Sequence, residues 1–94
     1  MAAYYKELNM LANQVKLIRI KEVQAVSGLK RSTIYAYIKK RIFPSQIKLG
    51  KRCVAWVECE ILEVNQARIA EKSEQEIQEL IAQLKNRRQQ IGFQ

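Results

Sequence analysis

Apolar side chains recur at Ile34, Tyr37 and Ile38, and the stem of Arg41 completes an i, i+3, i+4, i+7 series, so the spacing predicts a helix over residues 30–41 with one inward face. The opposite face carries Arg31, Ser32, Tyr35, Ala36 and Lys39: cations, hydroxyls, an aromatic ring and no carboxylate. Upstream, Lys21 to Ser27 places Val23 and Val26 near one face with the small Ala25 beside them, which fits a short bracing helix. Gly28 ends it and allows a sharp turn into the second, the pattern of a helix-turn-helix. Lys16 to Ile20 alternates charged and apolar residues, as a short strand or extended lead-in would. Downstream, Pro44 forbids helix continuation and biases Phe43 to an extended conformation, with the Phe43 ring sealing the core beneath the turn.

Two β-prone runs follow, Ile47-Lys48-Leu49 and Arg52 to Trp56, split by Gly50-Lys51. They predict a hairpin with a two-residue turn, a wing beside the two helices, with Lys48, Lys51 and Arg52 at its tip and edges. Trp56 ends this strand where the next helix begins, a position for a core ring locking wing to helices; the competing role is a stacking platform for single-stranded nucleic acid. Glu58 and Glu60 fall in the first turn of that helix, where acids favour the positive end of the dipole, and Ile61, Leu62 and Val64 supply its buried side. The expected core is Val23, Val26, Leu29, Ile34, Ile38, Phe43, Trp56 and Ile61. A last stripe, Ile77, Leu80, Ile81, Leu84 and Ile91, has helical spacing with some heptad character. Ser73-x-x-Glu76 is a capping-box pattern that can start this helix, or one helix can run from Glu58 to about Gln90; the spacing admits both. Residues 1–14 hold Tyr4, Tyr5, Leu8, Met10, Leu11 and Ala12, a loosely helical pattern that either packs as an extra segment or frays.

Composition narrows the function classes. Ninety-four residues, 48% of them hydrophobic, make one small domain with a modest core, too short for a buried catalytic cleft with a lid. Cys53 and Cys59 are accompanied by no His, which leaves neither a zinc-like ligand set nor a thiol-imidazole pair, so both are expected as small buried or half-buried residues. An enzyme is not expected, and no cofactor or metal is implied. No apolar run approaches the roughly 18 residues of a membrane span, and the amino terminus lacks a signal-peptide core, so the expected compartment is the cytoplasm. The net charge of +8 is unevenly placed. Between Lys16 and Val57 eleven basic residues face Glu22 alone, a net of +10; from Glu58 onward five basic and seven acidic residues give −2. The first half therefore has the footprint of a polyanion binder.

The ordered string Leu17 to Val23, Ser27-Gly28-Leu29, Arg31 to Tyr35, Ile38-Lys39-Lys40, Phe43-Pro44, Lys48-Leu49-Gly50 and Arg52 through Val54-Ala55-Trp56 resembles the AlpA-type phage regulators over roughly residues 16–66. That family is similar to the MerR-like winged helix and includes prophage transcription activators and small excisionases, or recombination directionality factors. The resemblance implies base or backbone contact by Arg31, Ser32, Thr33 and Tyr35, and wing contact around Arg52. This chain departs from the family at Lys30, where a helix-capping Ser is common; Ser32 or the preceding turn would have to compensate. It has Ala36 for a frequent Arg, Arg41 for a common Gly, Lys51 for a small residue, and Cys59 for a capping Ser.

The expected architecture is mainly α with a small β-hairpin wing: a winged helix-turn-helix over residues 16–66, a leading extension over 1–15 and a long C-terminal amphipathic helix over 67–94. The expected partner is duplex DNA, contacted by Lys30, Arg31, Ser32, Thr33, Tyr35, Lys39, Lys40, Lys48, Lys51 and Arg52. Excisionase and transcription regulator need the same surface and are not separated by composition; an integrase is a candidate partner of the first. The alternative is an adaptor whose basic face docks an acidic protein. If the apolar stripe of the last helix stands off the domain, a second copy of the chain is its cheapest cover, giving a homodimer.

Overall fold

A computed structural model describes residues 15–92; the N-terminal pattern of Tyr4 to Ala12 lies outside the described residues. The order is β1 (Leu17–Ile18), α1 (Ile20–Ser27), α2 (Arg31–Lys39), β2 (Ile47–Gly50), β3 (Cys53–Val57), α3 (Glu58–Ile69) and α4 (Glu74–Gly92). The strands form one antiparallel sheet in the order β1-β3-β2, with Ile18 opposite Trp56 and Ile47 opposite Ala55. Mostly helical, with a small three-stranded sheet and a long last helix, the fold is the winged-helix-like arrangement that the pattern predicts.

The turn between α1 and α2 rests on one backbone conformation. Gly28 sits at φ 73°, its N–H donating to the Gln24 carbonyl at 2.8 Å. A Cβ there would meet nothing within 4 Å, so glycine is favoured by the left-handed dihedral and not by crowding. Ser27 steadies the turn by accepting the Leu29 N–H on its Oγ at 3.2 Å.

At the other end of α2 the expected inward stem of Arg41 is not found. The helix stops at Lys39, and Arg41 turns to φ 64° with its side chain exposed. The Arg41 N–H donates to the Ile38 carbonyl and the Ile42 N–H to the Tyr37 carbonyl, the paired bonds of a Schellman ending. The buried residue is Ile42, the one after the left-handed Arg41. A second ending of the same kind closes α3: Glu71 lies at φ 57°, with the Glu71 N–H on Arg68 and the Lys72 N–H on Ala67. It divides the last third into two helices. The capping box then forms in full, the Ser73 N–H donating to Glu76 Oε1 at 3.0 Å and the Glu76 N–H to Ser73 Oγ at 3.1 Å. The Ser73 N–H, and after it the Ser73 side chain, hydrogen-bond to the Glu76 carboxylate and lower its pKa.

The hairpin also differs from expectation. Gly50 still belongs to β2, opposite Cys53, and the tip is Lys51-Arg52. An irregularity between Lys48 and Gly50 adds one residue to β2, which shifts the turn by one position and leaves Leu49 exposed. Neither Gly50 nor the tip residues take a positive φ.

Ile18, Val23, Ile34, Phe43, Trp56 and Ile61 form the core, with Val26, Leu29 and Ile38 of the expected set packed at its margin. Trp56 is fully enclosed, its Nε1–H donating to the Pro44 carbonyl at 3.1 Å, so the indole is a core ring and not an exposed stacking platform. In α3, Ile61 and Val64 are buried and Leu62 half-buried.

The last helix does not stand off. It packs against α3, with Ile77 only 5% and Leu84 only 2% exposed, while Leu80 and Ile81 are half-buried; the side chain of Ile91 lies outside the described residues. The expectation that the stripe seeks a second copy loses its premise, because the chain covers the centre of the stripe itself. On the last turn of α3, Ile69 is open to solvent, 82% exposed.

Trp56→Ala should lower unfolding stability by about 3 to 5 kcal/mol in a denaturant titration, the range for an aromatic ring lost from a core. Arg41→Gly should raise it by about 1 kcal/mol, because a left-handed residue with a Cβ is strained where glycine is not.

Candidate nucleic-acid interface

Because α2 buries Ile34, its exposed centre is the opposite ridge, Ser32, Ala36 and Lys39, with Arg31 and Tyr35 on one flank and Thr33 and Lys40 on the other. Lys30, Arg31, Ser32, Lys39 and Lys40 are exposed, and Thr33 and Tyr35 are half-buried. Lys48, Lys51 and Arg52 are exposed on the wing. All ten candidates therefore lie on α2, its ends, or the hairpin, and those elements belong to one sheet-and-helix body around Trp56.

Tyr35 is less free than the sequence implies. Its ring meets Trp56 edge to face, centroids 6.1 Å apart at 69°, and the Arg31 guanidinium carbon stands 5.9 Å from the Tyr35 centroid. Tyr35 thus joins surface to core, and through it the buried indole positions Arg31.

The start of α2 has no side-chain cap. Lys30 occupies the N-cap position, the first helical bond runs from the Ile34 N–H to the Lys30 carbonyl at 2.9 Å, and Ser32 does not substitute as a cap. No acidic residue lies in the first turn, so the N–H groups of Arg31, Ser32 and Thr33 and the positive end of the helix dipole meet solvent beside two cations. Cys59, at the family's capping position, lies one residue inside α3, whose N-cap is Val57. Burial, with Glu60 and Glu63 nearby, pushes the Cys59 thiol up, away from the reactive thiolate.

Ion pairing divides the surface. Lys16 is shared between Glu22 at 3.9 Å and Glu58 at 3.8 Å, which removes it from the free basic set. The other pairs join α4, or the turn before it, to α3 and its own first turn: Lys72 with Glu76, Arg87 with Glu63, Arg88 with Glu60. Among the described residues, none of the cations on α2, its ends or the wing is paired with a carboxylate.

Arg87 and Arg88, near the end of α4, are engaged by carboxylates of α3. Arg87 forks onto Glu63 at 3.0 and 3.3 Å. Arg88 binds both oxygens of Glu60, Nη2 to Oε1 at 2.6 Å and Nε to Oε2 at 2.9 Å, and reaches the Ser45 carbonyl at 2.7 Å and Oγ at 3.3 Å. Hydrogen bonding to Glu60 raises the Arg88 pKa further above its ordinary range, against the opposing effect of burial.

Sequence reasoning also missed the side chains that finish the two helices. Asn65 Nδ2 donates to the Val26 carbonyl at 2.9 Å, closing the end of α1. Arg68 Nη2 donates to the Ile42 carbonyl at 2.9 Å with its guanidinium 5.1 Å from the Tyr37 ring centroid, and Gln78 Nε2 donates to the Lys40 carbonyl at 3.0 Å. No periodic signal marks such residues; each is a lone polar position on a helix whose partner lies 26 to 39 residues away.

Compared with known proteins, residues 16–69 match the family described as Prophage CP4-57 regulatory protein (AlpA). The chain is 44% identical over 57 residues to an uncharacterized protein, ORF88, of Enterobacteria phage P4. The match covers 61% of this chain and 65% of that relative. No solved structure matches. No helix among the described residues is long and apolar enough to cross a membrane.

Arg88→Met alone should destabilise the protein by about 3 to 5 kcal/mol in denaturant unfolding, because it strands the Glu60 carboxylate, only 4% exposed, without a partner. Glu60→Met/Arg88→Met should recover most of that loss, since an ion pair replaced as a unit by apolar side chains leaves no buried charge.

Proposed function

Because the chain belongs to the Prophage CP4-57 regulatory protein (AlpA) family, we propose that it binds duplex DNA sequence-specifically in a phage, prophage or integrative element, as an excisionase, a transcriptional regulator, or both. The observation that carries this reading is the partition of charge: unpaired cations gather on α2 and the wing, while the three carboxylates of α3 are paired with Lys16, Arg88 and Arg87. In the proposed complex α2 enters the major groove. Arg31, Ser32, Thr33 and Tyr35 face base edges or the flanking backbone, Lys30, Lys39 and Lys40 take phosphates, and the uncapped N–H groups at the start of α2 donate to a phosphate oxygen. Lys48, Lys51 and Arg52 carry the wing to a neighbouring phosphate or minor groove. An excisionase would in addition contact an integrase, and retention of an integrase from the same element on immobilised protein separates that role from simple regulation.

Affinity for duplex DNA should fall steeply with salt. With about six phosphates neutralised, the slope of log affinity against log salt is near −5, from roughly −0.9 per contact. A flat response in an anisotropy titration would reject DNA binding in favour of an acidic protein as the target of the basic face. Arg31→Ala should cost about 1 to 3 kcal/mol on the preferred site and little on random duplex, while Lys51→Ala and Arg52→Ala weaken both. Tyr35→Phe, which keeps the ring on Trp56, isolates the hydroxyl in the same comparison.

A further inference from the structure

The segment from Lys40 to Ser45 joins the recognition helix to the wing, and four of its six carbonyls are held by side chains of other elements. Gln78 of α4 donates to Lys40, Arg68 of α3 to Ile42, Trp56 of β3 to Pro44, and Arg88 of α4 to Ser45. Two of these four donors, the first and the last, come from α4, which falls outside the stretch the family match covers. They grip the two ends of the connector, and Arg88 is itself fixed by the buried Glu60. A helix that merely covered apolar surface would need Ile77 and Leu84 but not this placement of polar atoms.

We infer that α4 is a brace which fixes the recognition helix and the wing relative to each other, with Arg88 and Gln78 as positioning residues for DNA binding. The reading rests on the proposed DNA interface. A rigid connector presents the α2 face and the Lys51-Arg52 tip to one duplex at once, so both sets of contacts form without a further ordering cost. A loose connector lets α2 dock while the wing remains uncommitted.

The test compares the full chain with Glu60→Met/Arg88→Met/Gln78→Ala, in which no charge is left buried alone. Should that variant not fold, Arg88→Lys serves, since an ammonium keeps the charge opposite Glu60 but loses the fork that also reaches Ser45. The probe is a duplex selected from a random-sequence pool by the intact protein. On it the variant should keep the hydroxyl-radical protections due to α2 and lose those due to the wing. Its salt slope should become shallower by about 1.8, at roughly 0.9 for each of the two tip cations disengaged. A variant of lower thermal stability with unchanged protections and slope would overturn the inference, because a merely stabilising helix alters the melting temperature and not the pattern of contacts. Residual dipolar couplings of the free protein give an arm that needs no DNA. Amides of α2 and of β2–β3 should share one alignment frame in the intact chain and require two in the variant. One shared frame in both proteins overturns the brace even if DNA binding stands; two frames in the variant, with an intact chain that binds no duplex, uphold the brace and overturn the DNA reading.

Discussion

The hydrogen bond from the Trp56 indole to the Pro44 carbonyl is the contact on which the geometry of this protein most depends. Pro44 cannot donate to a neighbouring strand, and its carbonyl is buried just after the chain leaves α2. A buried carbonyl without a donor would cost about 1 to 3 kcal/mol, so the ring that fills the core also has to satisfy the loop. Because Trp56 lies on the central strand of the sheet, the same side chain fixes β3 against β1 and β2, the connector against β3, and Tyr35 against both. The exposed face of α2 is thereby referenced to the core through a ring contact and not only through the helix backbone.

Around that centre, α3 and α4 act mainly as donors of hydrogen bonds. Asn65, Arg68, Gln78 and Arg88 each end on a carbonyl that the helix-turn-helix or its connector leaves without a backbone partner. Long flexible side chains can do this over a distance that main-chain pairing cannot span, and two of them are guanidinium groups whose planar forks hold direction as well as position. The arrangement spends basic residues inside the structure, which is why the net charge of the second half says little about the surface.

Much of the helix-turn-helix was legible in the sequence because each signal is local. The inward face of α2 and the turn at Gly28 follow from spacing within a few residues, the Ser73–Glu76 pattern marked a possible helix start while leaving one helix or two open, and Trp56 followed from its place at a strand end. The failures were non-local or depended on one dihedral. Gly50 suggested the hairpin turn, but an extra residue in β2 moved the tip to Lys51-Arg52, and a bulge carries no residue signature of its own here. Arg41 fitted the periodic stripe, yet the helix had ended two residues before it, so Ile42 took the buried position. Glu60 read as a dipole acid, and nothing in the spacing connects it to Arg88 across 28 positions. For the same reason the spacing left open what covers the stripe of α4, and it is the fold of the chain itself that buries Ile77 and Leu84.

Arg41 and Glu71 have a further consequence that belongs to the unfolded chain. Both stand in left-handed turns where glycine is the relaxed residue, and the whole chain contains only three glycines. A side chain at such a position restricts the backbone before folding as well as after it, so less conformational freedom is surrendered at the turns that end α2 and α3. Strain held in the native state is thus partly offset by a narrower denatured ensemble, but that ensemble avoids the left-handed region, so the two reversals that place the wing and α4 are imposed by the folded structure and not by the local chain.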